Sequence, residues 1–153
     1  MTPADGPSKA LATWLALVGG GLGLHRFYLH GAGDRWAWLH LPPTLVGAWG
    51  FWRLRTLGTD DALGAMLVPL LGAMLAATML TAIVYGLTPA ERWQARFASS
   101  AANARTGWAV VVAVVLALAL GATAAMATIA FTAQRAFEGF AAADAATTGT
   151  ARD

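Results

Sequence analysis

The residues best suited to chemistry lie together at 19–31, G-G-G-L-G-L-H-R-F-Y-L-H-G, where His25, Arg26, Phe27 and Tyr28 follow a glycine-rich apolar run. An imidazole can exchange a proton or ligate a metal, and a guanidinium can hold phosphate or carboxylate through paired hydrogen bonds. His30 and His40 extend the set, but the spacing puts no two histidines on one helical face as H-E-x-x-H does, and Asp34 is the nearest carboxylate. No metal is expected. There is no cysteine, hence no thiolate nucleophile or disulfide, and neither a G-x-S-x-G elbow nor a Walker A run occurs. Gly19-Gly20-Gly21-Leu22-Gly23 follows no predicted strand and does not read as a phosphate loop. The expectation is a protein without catalytic residues or cofactor.

The elements that must position these residues are apolar. Hydrophobic residues make up 58% of the 153 and charged residues 12%, against roughly 25% charged in a soluble domain, and the mean hydropathy is +0.57. A soluble surface of this size needs more charge, so the composition predicts a bilayer as solvent. About 20 apolar residues make one crossing. Four segments qualify: 10–24, extended to 29 so that His25 and Arg26 occupy its last turns; 36–54, kinked by Pro42 and Pro43; 62–87, with Pro69 inside; and 107–133. A secretory signal peptide is disfavoured, because no A-x-A-like site follows the first run. Thr88-Pro89-Ala90-Glu91 has the form of a capping box, predicting a helix over 89–103 that either lies in the headgroup region or packs Trp93 and Phe97 on the bundle. Asp60 and Asp61 read as a solvated helix start. The tail, 134–153, is expected to be disordered.

Small residues four apart mark helix contacts in lipid: Ala109, Ala113, Ala117, Gly121 and Ala125; Gly19 and Gly23; Gly72 and Ala76. They predict packing within the chain ahead of homodimerisation. Most tryptophans fall near helix ends, where they anchor at an interface. Basic residues are spread along the chain, so no patch points to nucleic acid. With four crossings both termini share a side, and the near-even charge balance leans toward a cytoplasmic His25-Arg26 loop.

The run Gly20-x-x-Gly23-x-His25-Arg26-Phe27-Tyr28-Leu29, preceded by Ser8-Lys9-Ala10 and followed by an apolar segment with Trp49 and Trp52, resembles the TM2 domain family over residues 8–57. The chain departs from the family pattern where His30 intervenes before Gly31, and where Arg53 stands near a frequent aspartate. The resemblance implies two membrane helices joined by a short polar turn. The resulting expectation is an all-α integral membrane protein of four helices: tail 1–8, TM2-like hairpin 9–57, second transmembrane hairpin 58–133, tail 134–153. It would sit in the cell's inner membrane if bacterial. Gly20, Gly23, His25, Arg26, Phe27 and Tyr28 would contact lipid, a membrane-protein partner or a second copy, with snorkelling as the plain role of Arg26. A small transporter or channel subunit is the alternative, for which His40 is the ionisable residue within a crossing.

Overall fold

A computed structural model describes residues 6–150, and every regular element among them is helical. These are α1 (Lys9–Gly19), a 3-10 turn (Gly20–Leu22), α2 (Leu24–His30), α3 (Arg35–Leu39), α4 (Leu41–Leu57), α5 (Ala62–Leu87), α6 (Ala90–Phe97), α7 (Ala101–Ala104) and α8 (Trp108–Thr150). The predicted segment 62–87 coincides with α5. Asp61 starts that helix by accepting from Gly64 N at 2.9 Å, and Asp34 starts α3 by accepting from Trp36 N at 3.0 Å. α5 and α8 are each long and apolar enough to cross a membrane.

The first predicted crossing is not one helix. α1 ends in the 3-10 turn, Gly23 takes the left-handed conformation at φ 75°, and α2 runs back along α1. The proof of reversal is Ser8 N donating to Tyr28 Oη at 2.8 Å; a straight helix would set those residues about 30 Å apart. Two physical demands make the turn glycine. A side chain at positive φ is strained, and a Cβ on Gly23 would lie 2.5 Å from the Ala37 carbonyl oxygen. His25 and Arg26 therefore belong to the returning helix instead of ending an outgoing one. α3 and α4 then carry the chain from Asp34, beside Arg26, to Arg53, beside Asp61, with a break at His40 where Pro42 and Pro43 remove backbone donors.

α5 is the spine. Three neighbours pack on it antiparallel, and glycine sets each register. On α4, a side chain at Gly47 would meet Leu71 and one at Gly50 would meet Leu67; on the 3-10 turn, Gly20 lies against Thr78. Against α8, Gly86 faces Val114, Gly121 faces Met79 and Gly72 faces Thr128, a step of seven residues on each helix. Ala16, Leu17, Met79, Ala82, Ala113 and Ala117 form the core where α1, α5 and α8 meet. The small-residue ridge of α8 thus packs inside the chain at Ala113, Ala117 and Gly121, while Ala109 is exposed.

Three further expectations change. The capping box does not form: Thr88 Oγ1 donates back to Val84 O at 2.6 Å, and Pro89, not Thr88, is the N-cap of α6. The helix expected over 89–103 is two, broken where Ala98 adopts φ 47°. The tail expected to be disordered from 134 continues α8 to Thr150; its alanine-rich sequence favours helix, and Gln134 and Arg135 both bond to Glu138 one turn on. Residues 151–153 of that tail lie outside the described residues.

The replacement Gly23→Ala should lower stability by about 2 kcal/mol or more, since it combines the left-handed penalty with a backbone clash. Gly33→Ala, where nothing lies within 4 Å of the added carbon, should change it little. Unfolding midpoints of both variants in one detergent give the comparison, and equal midpoints would contradict this account of the reversal.

Candidate functional site

The reversal and the α3–α4 break face each other, with His25 buried and His40 half-buried between them. Breaking a helix exposes backbone groups that an apolar surrounding cannot solvate, so partners must come from side chains. Thr44 Oγ1 donates to Gly21 O at 2.6 Å. The prolines leave the Trp38 and Leu39 carbonyls without their usual donors four residues on. One turn earlier, His40 Nδ1 lies 2.7 Å from Trp36 O; a carbonyl only accepts, so the imidazole proton sits on Nδ1.

His25 is the buried member of this region, 1% exposed, with its ring edge-on to His40 at 5.4 Å between centroids and to Tyr85 at 5.8 Å. Its Nδ1 is buried without a hydrogen-bond partner. The two histidines and Tyr85 come from α2, the α3–α4 junction and α5, so tertiary folding alone assembles them. Among the described residues no three His, Cys, Asp or Glu side chains gather as metal ligands.

The remaining motif residues face their own chain. Gly20 is packed on Thr78 and Gly23 on Ala37. Arg26 Nε donates to Asp34 Oδ2 at 2.8 Å, closing the turn between α2 and α3. Phe27 packs edge-on to Trp38 at 5.2 Å. Tyr28 joins a cluster with Ala12, Trp93, Ala104 and Tyr85. The Nε edge of the Arg26 guanidinium is thus engaged by a carboxylate within the chain.

Arg53 and Asp61 repeat the device. They too are eight residues apart, the carboxylate again caps the next helix, and the pair is bidentate at 2.8 and 2.9 Å. Each guanidinium holds its partner carboxyl below the ordinary value near 3.8, helped by the backbone N–H the same carboxylate caps.

A second polar cluster closes the same end of the bundle. Lys9 is fully buried, and its Nζ donates to Thr88 O at 2.7 Å and Thr106 Oγ1 at 2.6 Å, joining α1 to the end of α5 and the start of α8. Trp93 Nε1 and Ser99 Oγ both donate to Pro7 O at 3.0 Å, and Asn103 Nδ2 donates to Gly6 O at 3.0 Å. Trp93 is 1% exposed, so α6 packs its aromatic face on the bundle, the second of the two arrangements open to it. Nothing in the sequence marked Lys9 and Asn103 as ties between distant segments; their partners lie 79 to 97 residues away.

No family model, curated protein or solved structure matches this chain.

Because the folded carboxyls of Asp34 and Asp61 are more acidic than unfolded ones, both pairs contribute stability that is complete above the unfolded value near 3.8 and lost as pH falls through the lower folded values. Stability measured against pH should therefore show an acid limb below about pH 4. The double variant Asp34→Asn, Asp61→Asn should flatten it, and an unchanged limb would place the acid sensitivity elsewhere.

Proposed function

We propose that this chain is a multi-pass integral membrane protein of the TM2-domain type that works through contacts with lipid or membrane-protein partners and not through catalysis. The observation that carries the reading is the exposed apolar surface of the long helices. Leu80 on α5 is 61% exposed, and Val115, Leu118 and Ile129 on α8 are 60 to 64% exposed; water-exposed monomers avoid a contiguous run of large apolar side chains of this kind, whereas lipid-facing helices present one. α5, at 26 residues, is about 39 Å long, enough for a hydrocarbon core of about 30 Å. Exposed Trp36, Trp38, Trp52 and Trp108 lie near helix ends, the place of interfacial rings.

On this reading α3–α4, α5 and α8 cross the bilayer, while α1 and α2 form a re-entrant hairpin that enters and leaves on one side. Irregular backbone at membrane depth is tolerated where it is buried in protein, which the contacts of Gly20, Gly21 and Gly23 supply. Three crossings put residues 6–8 and the start of α8 on one side and the end of α8 on the other. Lys9, Arg26, Arg35, Arg92, Arg96 and Arg105 then lie toward the first side, and Arg53, Arg55 and Arg135 toward the second. Among the described residues, six against three is a clearer bias than four crossings give, and it favours a cytoplasmic first side.

The facing helix breaks favour a second reading, a small transporter or channel subunit. Discontinuous helices meeting at mid-membrane are where such proteins place their sites, and the buried, unpartnered His25 adds an ionisable group to His40. Unaltered proton-coupled flux in vesicles after His25→Leu and His40→Leu would remove that reading.

The absence of cysteine makes topology directly testable. Single cysteines replacing Gly33 and Gly107, both in open space, should react with an impermeant maleimide from the side that also carries an N-terminal tag. One replacing Gly139 should react from the opposite side. Labelling of Gly33→Cys on the side opposite the tag would restore a spanning first helix.

A further inference from the structure

The seven-residue register between α5 and α8 has a fourth layer. After Gly86 with Val114, Met79 with Gly121 and Gly72 with Thr128, the next step sets Ala65 opposite Arg135. Each of the first three layers contains a glycine that lets the helices close. In the fourth the long guanidinium side chain replaces a packing residue, and a cleft of about 600 Å³ opens between the helices, lined by Asp60, Met66, Pro69, Phe131, Arg135 and Glu138. An apolar groove continues from it, sharing Pro69 and Phe131 and passing Gly72 to reach Leu75. From Ala62 to Leu75 is about 20 Å along α5, somewhat more than the roughly 15 Å of half a hydrocarbon core.

The mouth of the cleft is charged. The Arg135 guanidinium lies over the Phe131 ring at 5.5 Å, its Nη1 is 3.1 Å from Glu138 Oε2, and its Nη2 donates to the Thr59 carbonyl. Asp60 lines the same mouth. Neighbouring Arg53 and Asp61 neutralise each other. One guanidinium against two carboxylates leaves the mouth with a net charge of minus one.

We propose that this cleft holds a zwitterionic phospholipid with a primary amine, of the phosphatidylethanolamine type: phosphate on Arg135, ammonium on Glu138 and Asp60, and one acyl chain in the groove toward Leu75. The charge pattern selects among lipids. A phosphatidylglycerol brings the phosphate charge without an ammonium to meet the carboxylates. A phosphatidylcholine has the matching charge, but its quaternary nitrogen has no N–H to donate. The assignment rests on the membrane reading above.

The test is native mass spectrometry of the full chain in detergent, offered equimolar phosphatidylethanolamine, phosphatidylcholine and phosphatidylglycerol of matched acyl length. Phosphatidylethanolamine should be retained roughly three- to ten-fold over either competitor, the range partly exposed charge-assisted contacts supply. Glu138→Gln should reduce its advantage over phosphatidylcholine, Arg135→Gln should lower retention of both, and Ala65→Trp, which fills the cleft, should abolish retention. Arg92→Ala, at the opposite end of α5, should leave the preference unchanged, and the helical circular dichroism signal should be the same in every variant. Equal retention of the three lipids, or preference for phosphatidylglycerol, overturns the assignment. Alkaline carbonate extraction separates the two levels: a chain that stays with the membrane but shows no lipid preference refutes the cleft alone, whereas a released chain refutes the membrane reading and the cleft with it.

Discussion

Backbone that turns inside an apolar bundle must find partners for every group it withdraws from a helix, and the arrangement of α1 to α4 follows from how the Gly20–Gly23 turn meets that demand. Gly23 supplies a conformation and a closeness to Ala37 that no other residue allows. Thr44 supplies a donor for the Gly21 carbonyl. With the turn made, α2 is committed to run back along α1, which brings Tyr28 to Ser8 and His25 to Tyr85. Residues 6–8 are then held against α6 and α7 through Trp93, Ser99 and Asn103. Lys9, Trp93, Ser99 and Asn103 at this end each bond backbone at or just outside a helix terminus.

The second organising constraint is how closely helices approach α5. Dispersion contacts between close backbones reward such approach, the more so wherever apolar expulsion contributes little, as in lipid, and glycines on α4, α5 and α8 permit it. The register is therefore written in glycine positions. It also dictates where packing fails. Two turns beyond Gly72 and Thr128 there is no glycine, an arginine occupies the facing position, and the helices leave space. Tight packing and the cleft are consequences of the same seven-residue step.

Charge is used sparingly and locally. Arg26 with Asp34 and Arg53 with Asp61 each join the end of one helix to the cap of the next across eight residues. Such a pair satisfies a helix N-terminus and fixes a turn with one carboxylate. It also gives Arg26, the most conspicuous charge of the H-R-F-Y-L run, a structural partner within the chain. Arg92 and Arg135, which carry no motif, lie beside apolar grooves, Arg135 held there by Glu138 and the Thr59 carbonyl.

Much of the local structure was legible in the residues: the extent of α5 from an uncharged run between Asp61 and Thr88, the kink from Pro42 and Pro43, the internal ridge from Ala113, Ala117 and Gly121, and the helix start at Asp61. These depend on composition and short-range spacing, which one chain segment contains in full. What the sequence did not contain was direction. Glycine at Gly19 to Gly23 is compatible with a helix that continues and with one that turns back; the choice depends on Ala37, Thr44 and Thr78, which lie 14 to 58 residues away from Gly20–Gly23 and enter only when the helices pack. The burial of Lys9, the meeting of His25 with His40 and Tyr85, and the cleft at Arg135 were decided in the same way. Each is set by which side chains two separate helices present to one another, and only the tertiary structure specifies that.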